Sequence, residues 1–583
     1  MEITKSTYFE KLPEVKAAID ASTFIAIDCE LTGINTTSEI NAYDTPKQYF
    51  EKVHKNSKDF LVIQFGICTF TYCEKSKSFQ QQAFNFYIFP RPLNRMVPDC
   101  RFLCQSSSID FLVKQGFDFN KLFNEGIPYL NTQHEAKYRE VLEEGRQARA
   151  KLYLSPQTLN RISIPEEDQP FIDKVFAEIE KFIASDKDEH ILPKCNPFIR
   201  RLIYQTARER IDKRASLETR QLENKDRVLV VTRPKSIDDR NKDEENKKLE
   251  EAEVLKQAIG FSEIIKYLAQ SRKLIVGHNM LLDVCHTIDK FLSNLPEKYE
   301  SFKECVNCLF PFILDTKYMS SSGPFKDLIT STVLSHLLTT VTNSPFGLPK
   351  IDSEAENGYS LDSSKEHEAG YDAYITGLSF IAMWKYLGKG SDSTFKDFKL
   401  LKPYINRLFL MRIQDAPYMQ LDGADPNPSR DHVFYLLFPK EWKLNDITEL
   451  FSPFGNVYVA WLDDRSAYIA LHKREQAAVA LSTLSQSDRY SIMTYVRRQA
   501  ILAGISSIQT SPLARRRKSS EGLPPRKRRK SNNDSNVFKR GSIEPVMEVE
   551  MSEEAEADST KPCLIKPRKR TISKTFEEDN SWE

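Results

Sequence analysis

A short apolar run, Thr23-Phe24-Ile25-Ala26-Ile27, leads directly into Asp28-Cys29-Glu30-Leu31-Thr32-Gly33, and this stretch limits the possible folds more than any other. Its β-branched and aromatic residues read as a buried strand. Side chains alternate across a strand, so Asp28 and Glu30 emerge on one face near its end. Two carboxylates so placed repel each other. Either water solvates both at a strand end, or a divalent cation, suited to hard oxygen ligands, lies between them. Further acids elsewhere in the chain decide between the two.

The strand is followed by a polar loop through about Asp59, then by Leu61 to Phe70 and Phe84 to Pro90, which together predict a three-stranded antiparallel meander. Ser106-Ser107-Ser108 is positioned to cap a helix carrying Ile109, Phe111 and Leu112 that Gly116 ends, and a long charged helix is expected across His134 to Leu152. Strands followed by helix mark the start of a mixed α/β sheet. At 583 residues the chain exceeds one core, so roughly two to four domains are expected.

From residue 171 to 236 the pattern becomes basic and compact. Phe171, Val175, Phe176, Ile179 and Phe182 recur at helical spacing, and Arg200, Arg201, Arg208 and Arg210 surround Tyr204 ahead of the strand Val228 to Val231. Guanidinium groups interleaved with an aromatic suit a single-stranded backbone and its bases, although a solvated basic face has the same composition. A charged connecting helix follows from Ile237 to Gln257. The α/β pattern then resumes, which makes the basic segment an insertion within one domain.

Lys273 to Val276 reads as a strand, Gly277-His278-Asn279 as a turn, and Met280 onward as a helix carrying Asp283. A helix rising from a strand end delivers Asp283 to the sheet edge that bears Asp28 and Glu30. His278 is read as a brace of the turn, Asp289 as pointing elsewhere, and Asp315, closing the strand at Phe312 to Asp315, as a rival or outer acid. Asp372 stands in the first turn of the apolar helix Ile375 to Leu387. His367, five residues earlier, can fold back towards it, and imidazole is the side chain best able to take a proton from water near neutral pH. Four carboxylates and a base fit two Mg²⁺ ions, with Mn²⁺ as a substitute, set for in-line attack on a phosphodiester at a separation of roughly 3.5–4 Å.

These motifs resemble the DEDD exonucleases of the histidine-containing subgroup, and among them the poly(A)-specific ribonucleases: Asp-x-Glu on a first strand, Asp after Gly277-His278-Asn279, and His-x-x-x-x-Asp at a late helix. The run Gly277 to Val284, the stretch His367 to Gly377 and the basic insertion extend the likeness over residues 1 to 500. It implies a ribonuclease H-like nuclease domain over residues 1–170 and 237–405. The insertion at 171–236 resembles the small Arg-x-x-x-His single-strand-binding module, with Arg200 in the arginine position and Tyr204 where the histidine falls. Family roles make Asp28, Glu30, Asp283 and Asp372 the metal ligands and His367 the general base. Ile34, Ile109, Phe111 and Lys317 would contact the adenosine tail, and Leu31 stands where the family commonly has phenylalanine. The family also implies a homodimer.

A helical stretch is expected around Leu400 to Leu410, and residues 430–505 show the order βαββα expected of an RNA-recognition-motif domain. Tyr468 fills one aromatic position of its signature, while Ser466 occupies another. Trp461, at a strand end beside Asp463 and Asp464, offers an indole face to a positively charged base, a sound pairing for the 7-methylguanosine cap that the resemblance places there; a core tryptophan is the alternative. Residues 506–583 read as disordered: Arg515 to Lys518 and Arg526 to Lys530 place nine basic residues within sixteen, ahead of an acidic run from Glu544 to Asp558. The basic clusters read as a bipartite signal for a nuclear import receptor, or else as an RNA tether, and predict residence in nucleus and cytoplasm.

No apolar run approaches the roughly 20 residues that span a bilayer, and Met1 to Lys5 opens no signal peptide, so no membrane partner is expected. The ten cysteines read as reduced thiols, and Cys305-Val306-Asn307-Cys308 has no second pair at zinc-finger spacing. The residues predict Mg²⁺-dependent phosphodiester hydrolysis, and the resemblance implies that it runs 3′ to 5′ on poly(A) tails, releases 5′-AMP and is stimulated by the cap. A related nuclease of other 3′ ends, an inactive cap- and tail-binding protein, and a structural partner are the rivals.

Overall fold

The computed structural model describes residues 1–34, 40–154, 162–211, 214–221, 227–234, 237–353, 358–361, 365–389, 395 and 398–504, so the tail from 505, with the basic clusters read as an import signal, lies outside the described residues. Among the described residues, seven strands make the principal sheet. In spatial order they are Glu2–Ile3, Ser78–Tyr87, Val62–Cys73, Phe24–Leu31, Leu274–Gly277 and Ile313–Asp315, with Lys350–Ser353 pairing against Ser78–Tyr87. The expected meander is present as two antiparallel pairings, and the later strands Leu274–Gly277 and Ile313–Asp315 join in parallel.

The opening strand shows why its sequence alternates. Ile25, Ile27 and Leu31 pack into a core on one face of the sheet, and Phe24 and Ala26 into a second core on the other. Asp28 and Glu30 continue the row of Phe24 and Ala26, towards the face covered by the helix Ala369–Leu387. Phe24 stacks on Phe70 with ring centroids 4.9 Å apart. Burying each such ring fully contributes roughly 1.5–3 kcal/mol, which fixes the helix firmly on the sheet. A Cβ on Gly377 would lie 2.1 Å from the Phe70 ring, so glycine there sets how closely helix and strand approach.

Residues 162–234 form a separate small core. The helices Gln169–Ile183 and Pro197–Arg210 pack on the strands Glu189–Ile191, Arg227–Thr232 and Ser216–Gln221, two of which the apolar pattern did not signal. Asn196 caps its helix by accepting the Ile199 N–H at 2.8 Å, with Pro197 in the first helical position. The region from Val433 to Thr494 has the spatial order Val457–Asp463, Ser466–Leu471, Val433–Leu437, Ser491–Thr494, with helices Leu444–Phe451 and Ala477–Leu484 behind it.

Three local expectations are corrected. The polar stretch before Asp59 contains the helix Pro46–Ser57, whose Tyr49, Phe50 and Val53 are buried. The helix Ser106–Lys114 begins after Gln105 and has no side-chain cap, so the serines there do not act as expected. The stretch from Leu400 to Leu410 is not helical: one turn, Phe398–Leu401, gives way to a hairpin of Arg407–Phe409 and Tyr418–Gln420. Its apolar residues alternate because Leu408, Leu410 and Met419 fill the core under the sheet.

Candidate active site

The site begins with an exchange between two strands. Asp28 lies opposite Gly66 in the register, and Glu30 opposite Gln64. A Cβ on Gly66 would come within 1.9 Å of the Ala369 carbonyl oxygen, so only glycine lets the start of the helix Ala369–Leu387 settle beside Asp28. That helix start is then held by side chains of the neighbouring strands. The Ala369 N–H donates to Gln64 Oε1 at 2.9 Å, and the Gly370 N–H to Asn85 Oδ1 at 3.0 Å, satisfying donors that a helix leaves open. Asp372, in the first turn, is thereby carried to the acids of the opening strand.

Among the described residues, ligand atoms of Glu30, His367 and Asp372 lie within 4.8 Å of one another. The electrostatics bring in the other two acids. Burial, followed by the carboxylates of Asp372, Asp283 and Glu30, holds Asp28 well above the usual carboxylate range. Burial, Asp372 and Asp283 do the same to Glu30. Burial pushes Asp283 and Asp372 up to about 7 each. Four acids that disfavour one another's ionisation suit hard divalent cations, whose charge removes the repulsion.

His367 sits in a left-handed conformation, φ 66°, just ahead of the helix, and its backbone N–H donates to the Asp372 carboxylate. Its Nδ1 is 3.9 Å from Asp372 Oδ2, too far for a hydrogen bond, and its ring meets the Phe111 ring edge to face at 4.6 Å. Partial burial lowers the imidazole pKa, which keeps it neutral and able to accept a proton.

Asp283 arrives as the sequence suggests, in the first turn of Leu281–Thr287. One partner was not foreseen: the Cys29 thiol, on the opposite face from Asp28 and Glu30, donates to the Asp283 carboxylate. No sequence signal marks that contact, because a cysteine between two acids reads as core. His278 braces the turn, with Nδ1 2.9 Å from Thr316 Oγ1 and Nε2 3.0 Å from the Thr332 carbonyl, and burial drives its pKa down to about 3. Asp289 is engaged with Lys290 at 2.9 Å and with the Leu295 N–H. Asp315 accepts N–H groups of Asn279, Met280, Lys317 and Phe409, which makes it a structural cap of this turn.

The residues expected to meet an adenosine tail divide. Ile34 is 50% exposed, Phe111 is 42% exposed beside His367, and Ile109 is half-buried. Leu31 instead packs into the core, which leaves it little face for a base. Lys317 is also buried, with its ammonium 5.7 Å from the centre of the Phe409 ring. In the inserted module Arg200 donates to the Cys195 carbonyl, its Nε is buried without a hydrogen-bond partner, and the Tyr204 hydroxyl pairs with Thr219.

Trp461 is not a core residue: it is 40% exposed, edge-on to Phe438 at 5.4 Å, and it lines a cleft of about 670 Å³ with Lys52, Asp463 and Arg498. Asp464 is paired with Lys440 at 2.8 Å. The sheet face that carries Tyr435 and Tyr468 is covered by Ala42, Tyr43 and Tyr495. Stacking on that face is therefore blocked by packing, a reason distinct from the serine at position 466.

Residues 3–380 match the CAF1 family ribonucleases, and residues 423–500 match the RNA binding domain family. The poly(A)-specific ribonuclease PARN of Xenopus laevis is 45% identical over 510 residues, covering 85% of this chain and 80% of that protein. The Homo sapiens protein of the same name is 44% identical over 513 residues, with the same coverage of both chains. A solved structure of S. pombe Pop2p in its Mg²⁺- and Mn²⁺-bound form covers 70% of this chain and 98% of its own, at 12% identity and a TM-score of 0.34, a likeness too low to bear on the site.

Proposed function

The chain belongs to the CAF1 ribonuclease family and is a poly(A)-specific 3′-exoribonuclease, and from that premise we propose how its residues hydrolyse the tail. Asp28, Glu30, Asp283 and Asp372 would hold two divalent cations, Mg²⁺ or, in its place, Mn²⁺. The donor set is all carboxylate, and its mutual repulsion without a cation is the observation that supports the fit. Such ions would supply positive charge to the scissile phosphate and to the departing 3′-oxygen.

The protein's own groups do the rest. Neutral His367 takes the proton of the attacking water, and the His367 N–H donated to Asp372 fixes the loop that carries the ring. Phe111 packs against that ring and offers its exposed face, with Ile34, to the terminal bases. The product is a 5′-nucleotide, 5′-AMP on a poly(A) tail. The observation that carries the reading is the gathering of Glu30, His367 and Asp372 within 4.8 Å at the end of the helix that Gly66 admits.

The reading extends in three directions. Trp461, exposed at the rim of a mixed-charge cleft, is proposed to stack on the cationic base of a 5′ cap that stimulates the enzyme. A homodimer is proposed on the family likeness. Nuclear import, alongside cytoplasmic residence, is proposed from the basic clusters at Arg515 to Lys518 and Arg526 to Lys530. The central test is single-turnover cleavage of 5′-labelled oligoadenylate, oligouridylate and oligocytidylate, with Mg²⁺ and with chelator. Stepwise shortening of oligoadenylate with release of 5′-AMP, lost in chelator, is expected; equal rates on all three or metal-independent cleavage overturns it.

A further inference from the structure

His367 stands in the left-handed region at φ 66°, where a residue with a side chain persists only if its surroundings fix it. Its ring Nδ1 is 3.9 Å from Asp372 Oδ2, and the Phe111 ring meets it edge-on, so neither contact is a hydrogen bond to the ring. Further restraint comes from Glu368, the next residue. Its N–H donates to the Lys365 carbonyl at 3.1 Å, which closes a turn around His367, and its carbonyl accepts the N–H groups of Tyr371 at 2.8 Å and Asp372 at 3.0 Å. Its carboxylate is taken from two sides: the Tyr359 hydroxyl donates to Oε1, and the Lys365 ammonium lies 3.4 Å from Oε2.

Tyr359 has a fastening of its own. It is buried, its carbonyl accepts from Gln81 Nε2 at 2.8 Å on the strand Ser78–Tyr87, and its ring lies edge-on to Tyr371 at 5.4 Å. A Cβ on Gly370 would fall 2.8 Å from the Tyr359 hydroxyl, so glycine there leaves the phenol its place beside the helix start. We propose that the Tyr359 hydroxyl, through the Glu368 carboxylate, positions His367 by holding the turn that presents the imidazole to the attacking water. A buried phenol suits the task, because it donates one directed bond and brings no charge near the four acids. The inference rests on the reading of His367 as the proton acceptor.

A tether of this kind acts on the proton transfer and spares the binding steps. The helix that carries Asp372 keeps its anchors in Gln64 and Asn85 when the tether is cut, whereas a displaced base loses rate steeply with distance. Tyr359→Phe keeps the buried ring and removes only the donor. In the full chain at saturating Mg²⁺, its single-turnover rate on saturating uncapped oligoadenylate is expected to fall about tenfold, with the half-saturating concentration within about twofold of wild type and calorimetric Mg²⁺ affinity unchanged. On a His367→Ala background the same substitution adds nothing, because the group it positions is gone. Glu368→Ala reproduces the loss, and Glu368→Gln, whose amide oxygen still accepts the hydroxyl, recovers most of it.

Circular dichroism and a denaturant curve check the fold of each variant; should Tyr359→Phe fail to fold, Glu368→Ala against Glu368→Gln carries the same comparison. A folded Tyr359→Phe that cleaves at the wild-type rate overturns the tether. So does a loss that persists in full on the His367→Ala background, or a lost Mg²⁺ affinity, which would assign the tyrosine to the acids. A wild type inert on oligoadenylate defeats the reading of function, and a His367→Ala variant as fast as wild type defeats the base and the tether together. A slow His367→Ala beside an indifferent Tyr359→Phe defeats only the tether.

Discussion

Asp28 and Asp315 stand near the ends of two strands of one sheet, and they meet opposite surroundings. Asp315 receives four backbone N–H donors, from Asn279, Met280, Lys317 and Phe409. Asp28 faces three other carboxylates. Burial is the largest cause raising the pKa of both. The difference lies in what the fold supplies afterwards: donors complete a structural acid, and further acids leave a cluster suited to a divalent cation. Charge in this molecule reveals function where it is left uncompensated.

The largest test of that contrast is Asp28→Asn. Turnover on oligoadenylate is expected to fall below detection, while the melting temperature in chelator holds or rises, because one repelling charge is gone. If the variant unfolds instead, Asp28 belongs with Asp315. Next comes His367→Ala, expected to slow single turnover by roughly 10²–10⁴-fold, the range for a lost proton acceptor, with calorimetric Mg²⁺ affinity little changed. A lost metal would make His367 a ligand and enlarge the uncompensated group by one.

Asp315→Ala is expected to do the reverse of Asp28→Asn. It strands four N–H groups in a buried turn and costs about 3 kcal/mol or more in a urea unfolding curve. Unchanged stability there would remove the distinction between the two strand ends. The mildest effect concerns pH. Asp283 and Asp372 titrate near 7 in the folded metal-free protein, against an ordinary value of 3.8. Between those values the folded state holds protons that the unfolded chain has released, so stability in chelator is full below about pH 4 and falls as pH rises through about 7. Mg²⁺ should raise the melting temperature at pH 8 and leave it unchanged at pH 4; a chelated protein equally stable at both ends of that range would contradict the repulsion.

The glycine at position 66 marks the limit of what spacing conveys. Asp28, Glu30, Asp283, His367 and Asp372 were legible because strand alternation and helix starts are local, and each residue's element can be read from its neighbours. That Gly66 admits the helix carrying Asp372 was not, since its partner, the Ala369 carbonyl, is some 300 residues away in the chain. The same holds for Cys29 and Asp283, and for Gln64 and Asn85 at the helix start.

The sequence by itself determined the four carboxylates, the histidine and the order of strands and helices that brings them to one edge, because period-two and period-3.6 patterns specify faces without knowledge of partners. Only the tertiary structure decided which faces stay open. Leu31 looked available for a base and is taken by the core; the sheet of the RNA-binding domain read as poor for stacking because of Ser466 and is covered by Tyr43; Trp461 could have been core and is exposed. Exposure is a property of what packs against a surface, and the segment that covers the RNA-binding sheet comes from the far end of the chain.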